Sequence, residues 1–243
     1  MIRQLSDLSD ADVVAIYQVS DRNTPHVRSN FVSSVDGAVE VDGQSKALSG
    51  KHDQELFGKL RMLSDVVLVG AGTVRVEGYS GLRLNARRRE WRKANGLPEN
   101  PTLAIVSSRL ELNPVNPVFV DAPVRPLVIT HAAAPPDRRT ALAEVADILV
   151  CGDAEVDLSA AVAALAKRGM PQILCEGGPH LLGSLTDADL VDEMCLSVNP
   201  LLAGPGAGRI TAGPTSTIAR RLTLHSALAA DDNFLFLRYL RTT

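Results

Sequence analysis

Residues 64–74 read S-D-V-V-L-V-G-A-G-T-V, and this stretch decides the fold class. Residues 66–69 are four branched apolar side chains with no polar alternation. A strand of that kind is buried on both faces, as in a parallel sheet covered by helices. The run breaks into V-G-A-G-T at 69–73, where glycine lets the backbone turn sharply and approach a ligand. A helix starting near Thr73 would aim free amides at an anion. Arg75 stands where a third glycine would complete G-x-G-x-x-G. On this motif alone, phosphate binding and an ordinary strand-to-helix turn stay equally open.

Outward from this stretch, similar strand candidates occur at 103–106, 127–130, 148–151, 172–175 and 194–198. Between them lie helical segments: 51–63, with Ser49 as a cap, 135–145, and an Ala-rich stretch reaching Arg168. Asp157 or Ser159 would cap the last of these, with Gly169 at its C-terminal cap. Strand and helix in repetition imply crossovers and a mainly parallel sheet. The C-terminus differs: 222–228 and 234–240 flank a turn at 230–233 and read as a closing antiparallel pair. No low-complexity linker divides the 243 residues, so one domain is expected, with 1–27 as an N-terminal extension.

Composition narrows the function classes. Lys plus Arg number 25 and Asp plus Glu 28, a net charge of −3. Such a chain has no global attraction for nucleic acid or an anionic membrane. No apolar run approaches the ~20 residues of a membrane helix, and the acidic N-terminus is no secretory signal. A cytoplasmic protein is expected. The three cysteines, 151, 175 and 195, sit in or beside apolar runs and form no C-x-x-C, so they read as small hydrophobes, and no metal is expected. A Walker A lysine motif, G-x-S-x-G and the kinase set are all absent, which argues against a nucleoside-triphosphatase or a serine hydrolase.

Three further motifs carry possible chemistry. C-E-G-G-P-H-L-L-G at 175–183 places two glycines after a strand and Pro179 at a helix start, a second candidate phosphate cradle. Two such turns in one open sheet suggest a dinucleotide. Glu176 would repel a pyrophosphate, so its carboxylate should face N–H groups, a cation, or backbone amides. S-S-V-D-G at 33–37 reads locally as a hairpin turn. S-S-R at 107–109 ends a strand and could bind the 2′-phosphate of NADP, with an exposed Arg109 equally plausible without a ligand. The basic stretch 78–100 is expected to be a flexible, solvated loop or helix, with anion binding the alternative.

These pieces occur in a familiar order. R-S-N-F-V-S-S-V-D-G (28–37), D-G-Q-S-K-A-L-S-G (42–50), L-R (60–61), the 64–74 stretch, E-G-G-P-H-L-L-G (176–183), L-V-D-E (190–193) and N-P-L-L-A-G (199–204) together resemble the reductase domain of riboflavin biosynthesis. The resemblance runs from about residue 28 to the C-terminus. It implies a dihydrofolate-reductase-like three-layer α/β/α fold, with a mixed, mostly parallel sheet and a C-terminal antiparallel strand pair. It also implies NADPH as hydride donor, a homodimer, and 5-amino-6-(5-phosphoribosylamino)uracil as substrate. The zinc ligands of the deaminase that is often fused to this domain are absent, so reduction alone is expected.

Carried onto this sequence, the resemblance places Val32, Ala47, Gly70, Ala71, Gly72, Thr73, Glu77, Ser107, Ser108, Gly177, Gly178, Pro179, His180, Leu181, Leu182, Gly183 and Ser184 at the cofactor. Asn30, Ser45, Arg61, Arg83 and Glu176 would hold substrate, with Arg61 on its phosphate and Glu176 accepting from the uracil. Asp36 and Glu176 are the carboxylates expected to assist proton transfer. One segment departs from the family: E-G-Y-S-G-L-R-L at 77–84 replaces D-D-P-x-L-T-x-R. This leaves two other readings: an NADPH-dependent reductase of a related heterocycle such as dihydrofolate, and a non-catalytic NADP-binding protein.

Overall fold

The computed structural model describes residues 2–214 and 219–242. Its described strands form one ten-stranded sheet in the order β1-β9-β10-β8-β2-β7-β3-β4-β5-β6. The strands are β1 (Arg3–Gln4), β2 (His26–Ser34), β3 (Val66–Gly70), β4 (Thr102–Val106), β5 (Leu127–Thr130), β6 (Asp147–Val150), β7 (Gln172–Cys175), β8 (Glu193–Asn199), β9 (Leu222–Ala229) and β10 (Leu235–Arg241). Every pairing is parallel except those of β10 with β8 and β9. The expected mixed, mostly parallel sheet with a closing antiparallel pair is therefore present.

The apolar runs behave as their composition dictates. Val66, Val67, Leu68 and Val69 are at most 1% exposed. Val67 and Val69 pack into one core layer, Val66 and Leu68 into the other, on the opposite face of the sheet. Each buried side chain of this size stabilises the fold by about 1.5–3 kcal/mol. The helices are α1 (Asp10–Tyr17), α2 (Lys51–Leu63), α3 (Ala71–Val76), α4 (Ala86–Ala94), α5 (Pro117–Val120), α6 (Pro136–Ala143), α7 (Leu158–Lys167) and α8 (Pro179–Asp187), and α2, α7 and α8 cover these layers through buried Leu60, Leu165 and Leu185. Asp157 caps α7 by accepting from the Ala160 N–H at 2.9 Å, and Gly169 adopts φ +77° beyond its end.

Four local expectations need correction. Gly50, not Ser49, is the N-cap of α2. Ser49 instead donates to Asp53 at 2.6 Å. The 33–37 turn ends β2, but no return strand follows it, so it is not a hairpin. His26–Ser34, not among the strand candidates, is central, because its residues pair with β7 on one side and β8 on the other. Residues 86–94 form a helix, one of the two forms expected of the basic run, but Arg92 within it is fully buried and not solvated. It donates to the Met62 carbonyl at 2.8 Å and to the carbonyls of Ser64 and Pro98. A guanidinium that satisfies backbone acceptors is a structural pin, not a solvated charge.

The first 27 residues supply β1 and an α-helix, Asp10–Tyr17, opened by a Ser9–Asp12 capping box. Its end is tied to the sheet by a buried ion cluster. Glu193 is 0% exposed and accepts from Arg28 Nε at 2.6 Å and Arg238 Nε at 2.8 Å. The same two arginines donate to the carbonyls of Tyr17 and Ile16.

Candidate active site

The sheet topology locates the site. The chain runs outward through β3, β4, β5 and β6, then returns so that β7 inserts between β2 and β3. Connections from β3 and β7 therefore diverge, which opens a crevice beyond their carboxyl ends. There the two glycine turns touch: the Gly70 N–H donates to the Gly177 carbonyl at 2.7 Å. Glycine is required at 177, where φ is +91° and a Cβ would stand 2.9 Å from the Phe31 ring. At Gly178 a Cβ would stand 2.7 Å from Thr73 Oγ1. The Gly177–Gly178 peptide is cis.

A groove of about 590 Å³ lies on one side of this contact. Gly70, Ala71, Gly72, Ser107, Ser108, Arg109, His180, Leu181 and Ser184 line it. No side chain caps the N-terminus of α8, and Pro179 occupies its first turn. Uncapped amides there suit an anion. A Cβ at Gly72 would meet nothing within 4 Å, so the backbone is open to a ligand. Ser107 is buried and its oxygen accepts from the Leu110 N–H at 3.0 Å, leaving Ser108 and Arg109 as its exposed companions. These residues fit a dinucleotide: open glycine backbone for a pyrophosphate, and a hydroxyl with a guanidinium at the far end.

A pocket of about 490 Å³ lies on the other side, lined among others by Asn30, Val32, Ser45, Lys46, Asp53, Phe57, Arg61, Thr73, Glu77, Tyr79, Arg83, Glu176, Gly178 and Pro179. Its centre is an ion pair. Arg61 Nε and Nη2 donate to the two Glu176 oxygens at 2.6 Å each. The Tyr79 hydroxyl donates to Glu176 Oε2 at 2.7 Å. The Arg61 guanidinium also lies 4.1 Å from the Phe57 ring centroid. Burial disfavours the Arg61 cation, but the Glu176 carboxylate more than offsets this and raises its pKa above the ordinary value. Burial, then the Glu176 charge, likewise keeps Tyr79 protonated.

Most of the residues expected at the site converge on these two hollows. Glu77, expected at the cofactor, lines the pocket instead and accepts from Ser45 Oγ at 2.9 Å. Others lie apart. Ala47 lines neither hollow, and Leu182 is buried in the core. At Gly183 a Cβ would stand 2.2 Å from the Ala212 carbonyl, so this glycine serves packing. Asp36 lines neither hollow. Its carboxylate accepts from the Ser34 hydroxyl and from the N–H groups of Gly204 (2.9 Å) and Ala203 (3.2 Å). The Ser34 hydroxyl first, then these amides, hold its pKa down at about 2. A group ionised at neutral pH and engaged by a loop is no proton donor, so Asp36 anchors the 203–204 loop in place of the catalytic role expected of it.

The residues missed in the sequence are Asp53, Phe57 and Tyr79. Asp53, Phe57 and Arg61 stand at i, i+4 and i+8 of α2, and helical spacing alone puts them on one face. Tyr79 lies in the segment that departs from the family pattern.

Residues 25–236 match the RibD C-terminal domain family. The chain belongs to this family. RibD C-terminal domain relatives include a 2,5-diamino-6-ribosylamino-4(3H)-pyrimidinone 5′-phosphate reductase of Archaeoglobus fulgidus, 30% identical over 181 residues, 74% of this chain and 82% of that protein. The riboflavin biosynthesis protein RibD of Mycobacterium tuberculosis is 26% identical over 189 residues, 77% of this chain and 45% of its own length. Among solved structures, a pyrimidine reductase-like protein of Corynebacterium diphtheriae superposes with a TM-score of 0.85 at 25% identity, over 95% of this chain and 98% of that one. This RibD-type chain is thus a reductase of the riboflavin-biosynthesis class, whose hydride comes from a nicotinamide cofactor.

Proposed function

We propose that the protein is an NADPH-dependent reductase that converts a ribosylaminopyrimidine 5′-phosphate to its ribitylamino product. One observation carries this reading: a single pair of turns, 70–73 and 177–181, has the groove on one side and the pocket on the other. Thr73 and Gly178, which follow the groove-lining glycine turns, line the pocket and would stand between a dinucleotide held in the groove and a second ligand. That arrangement brings a hydride donor to the carbon of a second ligand.

The residues divide the work. Ser108 and Arg109 would hold the 2′-phosphate that distinguishes NADPH, and the α8 amides its pyrophosphate. NADPH, when bound, supplies the hydride. Lys46 and Arg83 line the pocket as cations suited to the substrate phosphate. Phe57 offers a face to the heterocycle. Arg61 uses one N–H each of Nε and Nη2 on Glu176, so its Nη1 N–H groups would serve a substrate oxygen. Glu176 orients Arg61 and Tyr79 rather than reading the pyrimidine alone.

Two substrates fit the class. The first is 5-amino-6-(5-phosphoribosylamino)uracil. The second is the 2,5-diaminopyrimidinone form that names the Archaeoglobus fulgidus relative, which is 30% identical to this chain. The working form is read as a cytoplasmic homodimer.

The test is reduced-nicotinamide absorbance with the uracil, the diaminopyrimidinone and dihydrofolate in parallel. Turnover of either pyrimidine phosphate is expected, and whichever is faster assigns the order of reduction and deamination. Turnover of dihydrofolate alone would reassign the substrate. Tight NADPH binding with no oxidation on any of the three would make this a binding protein.

A further inference from the structure

Reducing the ring-opened sugar adds a hydride at C1 and a proton at nitrogen. The C=N π pair becomes the new N–H bond while the nicotinamide is oxidised. One proton must therefore come from the protein or from water held by it. Of the two carboxylates expected to assist, Asp36 lies outside the pocket, and both Glu176 oxygens already accept from Arg61, one of them also from Tyr79. The two Glu176 oxygens are taken up in orienting a guanidinium and a phenol.

Asp53 is differently placed. It stands in the first turn of α2, is 7% exposed, and lines the pocket one helical turn from Phe57. Its partners are hydroxyls: Ser49 Oγ at 2.6 Å, and Ser197. None of the salt bridges among the described residues involves Asp53. The other titratable groups of the pocket are Glu40, Lys46, Glu77, Tyr79, Arg83 and Glu176, together with its partner Arg61.

We propose that the Asp53 carboxyl is the proton donor of the reduction. This rests on the function proposed above. The Asp53 O–H bond breaks as the substrate nitrogen takes the proton, Asp53 is left as carboxylate, and solvent returns a proton through the open mouth. Burial raises the Asp53 pKa and its hydroxyl partners offset this only in part, so the acid form persists to higher pH than an ordinary aspartate. Ser49 and Ser197 would orient it as positioning residues.

The experiment pairs kinetics with a direct titration. In the wild type, kcat is expected to fall as pH rises through the Asp53 pKa. Asp53→Asn should lower kcat by about 100-fold or more and lose that limb. NADPH affinity should stay unchanged, and Asp53→Glu should restore part of the rate. Carboxyl ¹³C NMR of the cofactor-free protein should show one aspartate, absent from Asp53→Asn, titrating above the ordinary value of 3.8. An Asp53→Asn enzyme with wild-type kcat and an unchanged profile would overturn the proposal. So would an Asp53 carboxyl that titrates at or below the ordinary value, a measurement that needs no folded variant once the signal is assigned. A wild type that reduces no pyrimidine phosphate overturns the parent reading, and this one with it.

Discussion

Arg61 and Glu176, 115 residues apart, meet in a fork-to-fork ion pair with both hydrogen bonds at 2.6 Å. Glu176 is almost fully buried, and its third bond comes from Tyr79. This pair joins α2 to the loop after β7, and so links the pocket wall to the glycine turn of the groove.

Removing one partner strands the other. Arg61→Met should cost about 3–5 kcal/mol of unfolding free energy, because a buried carboxylate would keep only a phenol as partner. Glu176→Gln keeps the shape but releases Arg61 from one strong bond. Loss of turnover with NADPH affinity retained is the expected result. Denaturant unfolding and cofactor titration check the two halves. An active Glu176→Gln enzyme would remove Glu176 from the mechanism.

Tyr79→Phe deletes one of the two donors to Glu176 Oε2, Arg61 Nη2 being the other, and leaves the ring against Arg61. A loss of about 1–3 kcal/mol in stability is expected. Because Tyr79 lines the pocket and not the groove, the substrate KM should rise while the NADPH Kd stays constant. A shift in the NADPH Kd instead would place Tyr79 against the cofactor.

Glu193 governs the acid limb of stability. Burial alone would raise its pKa, but the charges and hydrogen bonds of Arg28, His26 and Arg238 overcome this and hold it well below the ordinary 4.5. A depressed folded-state pKa contributes stability that is fully present above the unfolded value and lost as pH falls toward the folded one. Thermal melts should therefore decline below about pH 4.5. Glu193→Gln should be less stable at neutral pH, by about 3–5 kcal/mol, with a flatter acid limb.

Asp36→Asn separates a loop anchor from a catalytic group. The exchange weakens its acceptor bonds to the Gly204 and Ala203 amides. Faster hydrogen exchange at these two amides is expected, with kcat within about threefold of wild type, far short of the loss expected for a proton donor. A loss of 100-fold or more would return Asp36 to the mechanism.

What local sequence determines here is what depends on neighbours in the chain. The branched apolar run at 66–69 forces a doubly buried strand, since no side chain in it tolerates water on either face. The glycines at 177 and 178 mark where backbone must pass close to something else, and Asp157 and Gly169 mark the ends of a helix. The ordered motifs from 28 to 204 carried the family and, with it, the outline of the site. Tertiary structure decided the rest. The insertion of β7 between β2 and β3 is a long-range pairing that no local spacing encodes. That insertion brings Glu176 to Arg61, turning a carboxylate expected to assist proton transfer and an arginine expected on the substrate phosphate into one ion pair. Asp53 and Asp36 are both aspartates beside a serine, and only their surroundings distinguish them. One is buried in the pocket wall among hydroxyls, the other exposed and bound to backbone amides, because desolvation and hydrogen-bond geometry exist only once the chain has folded.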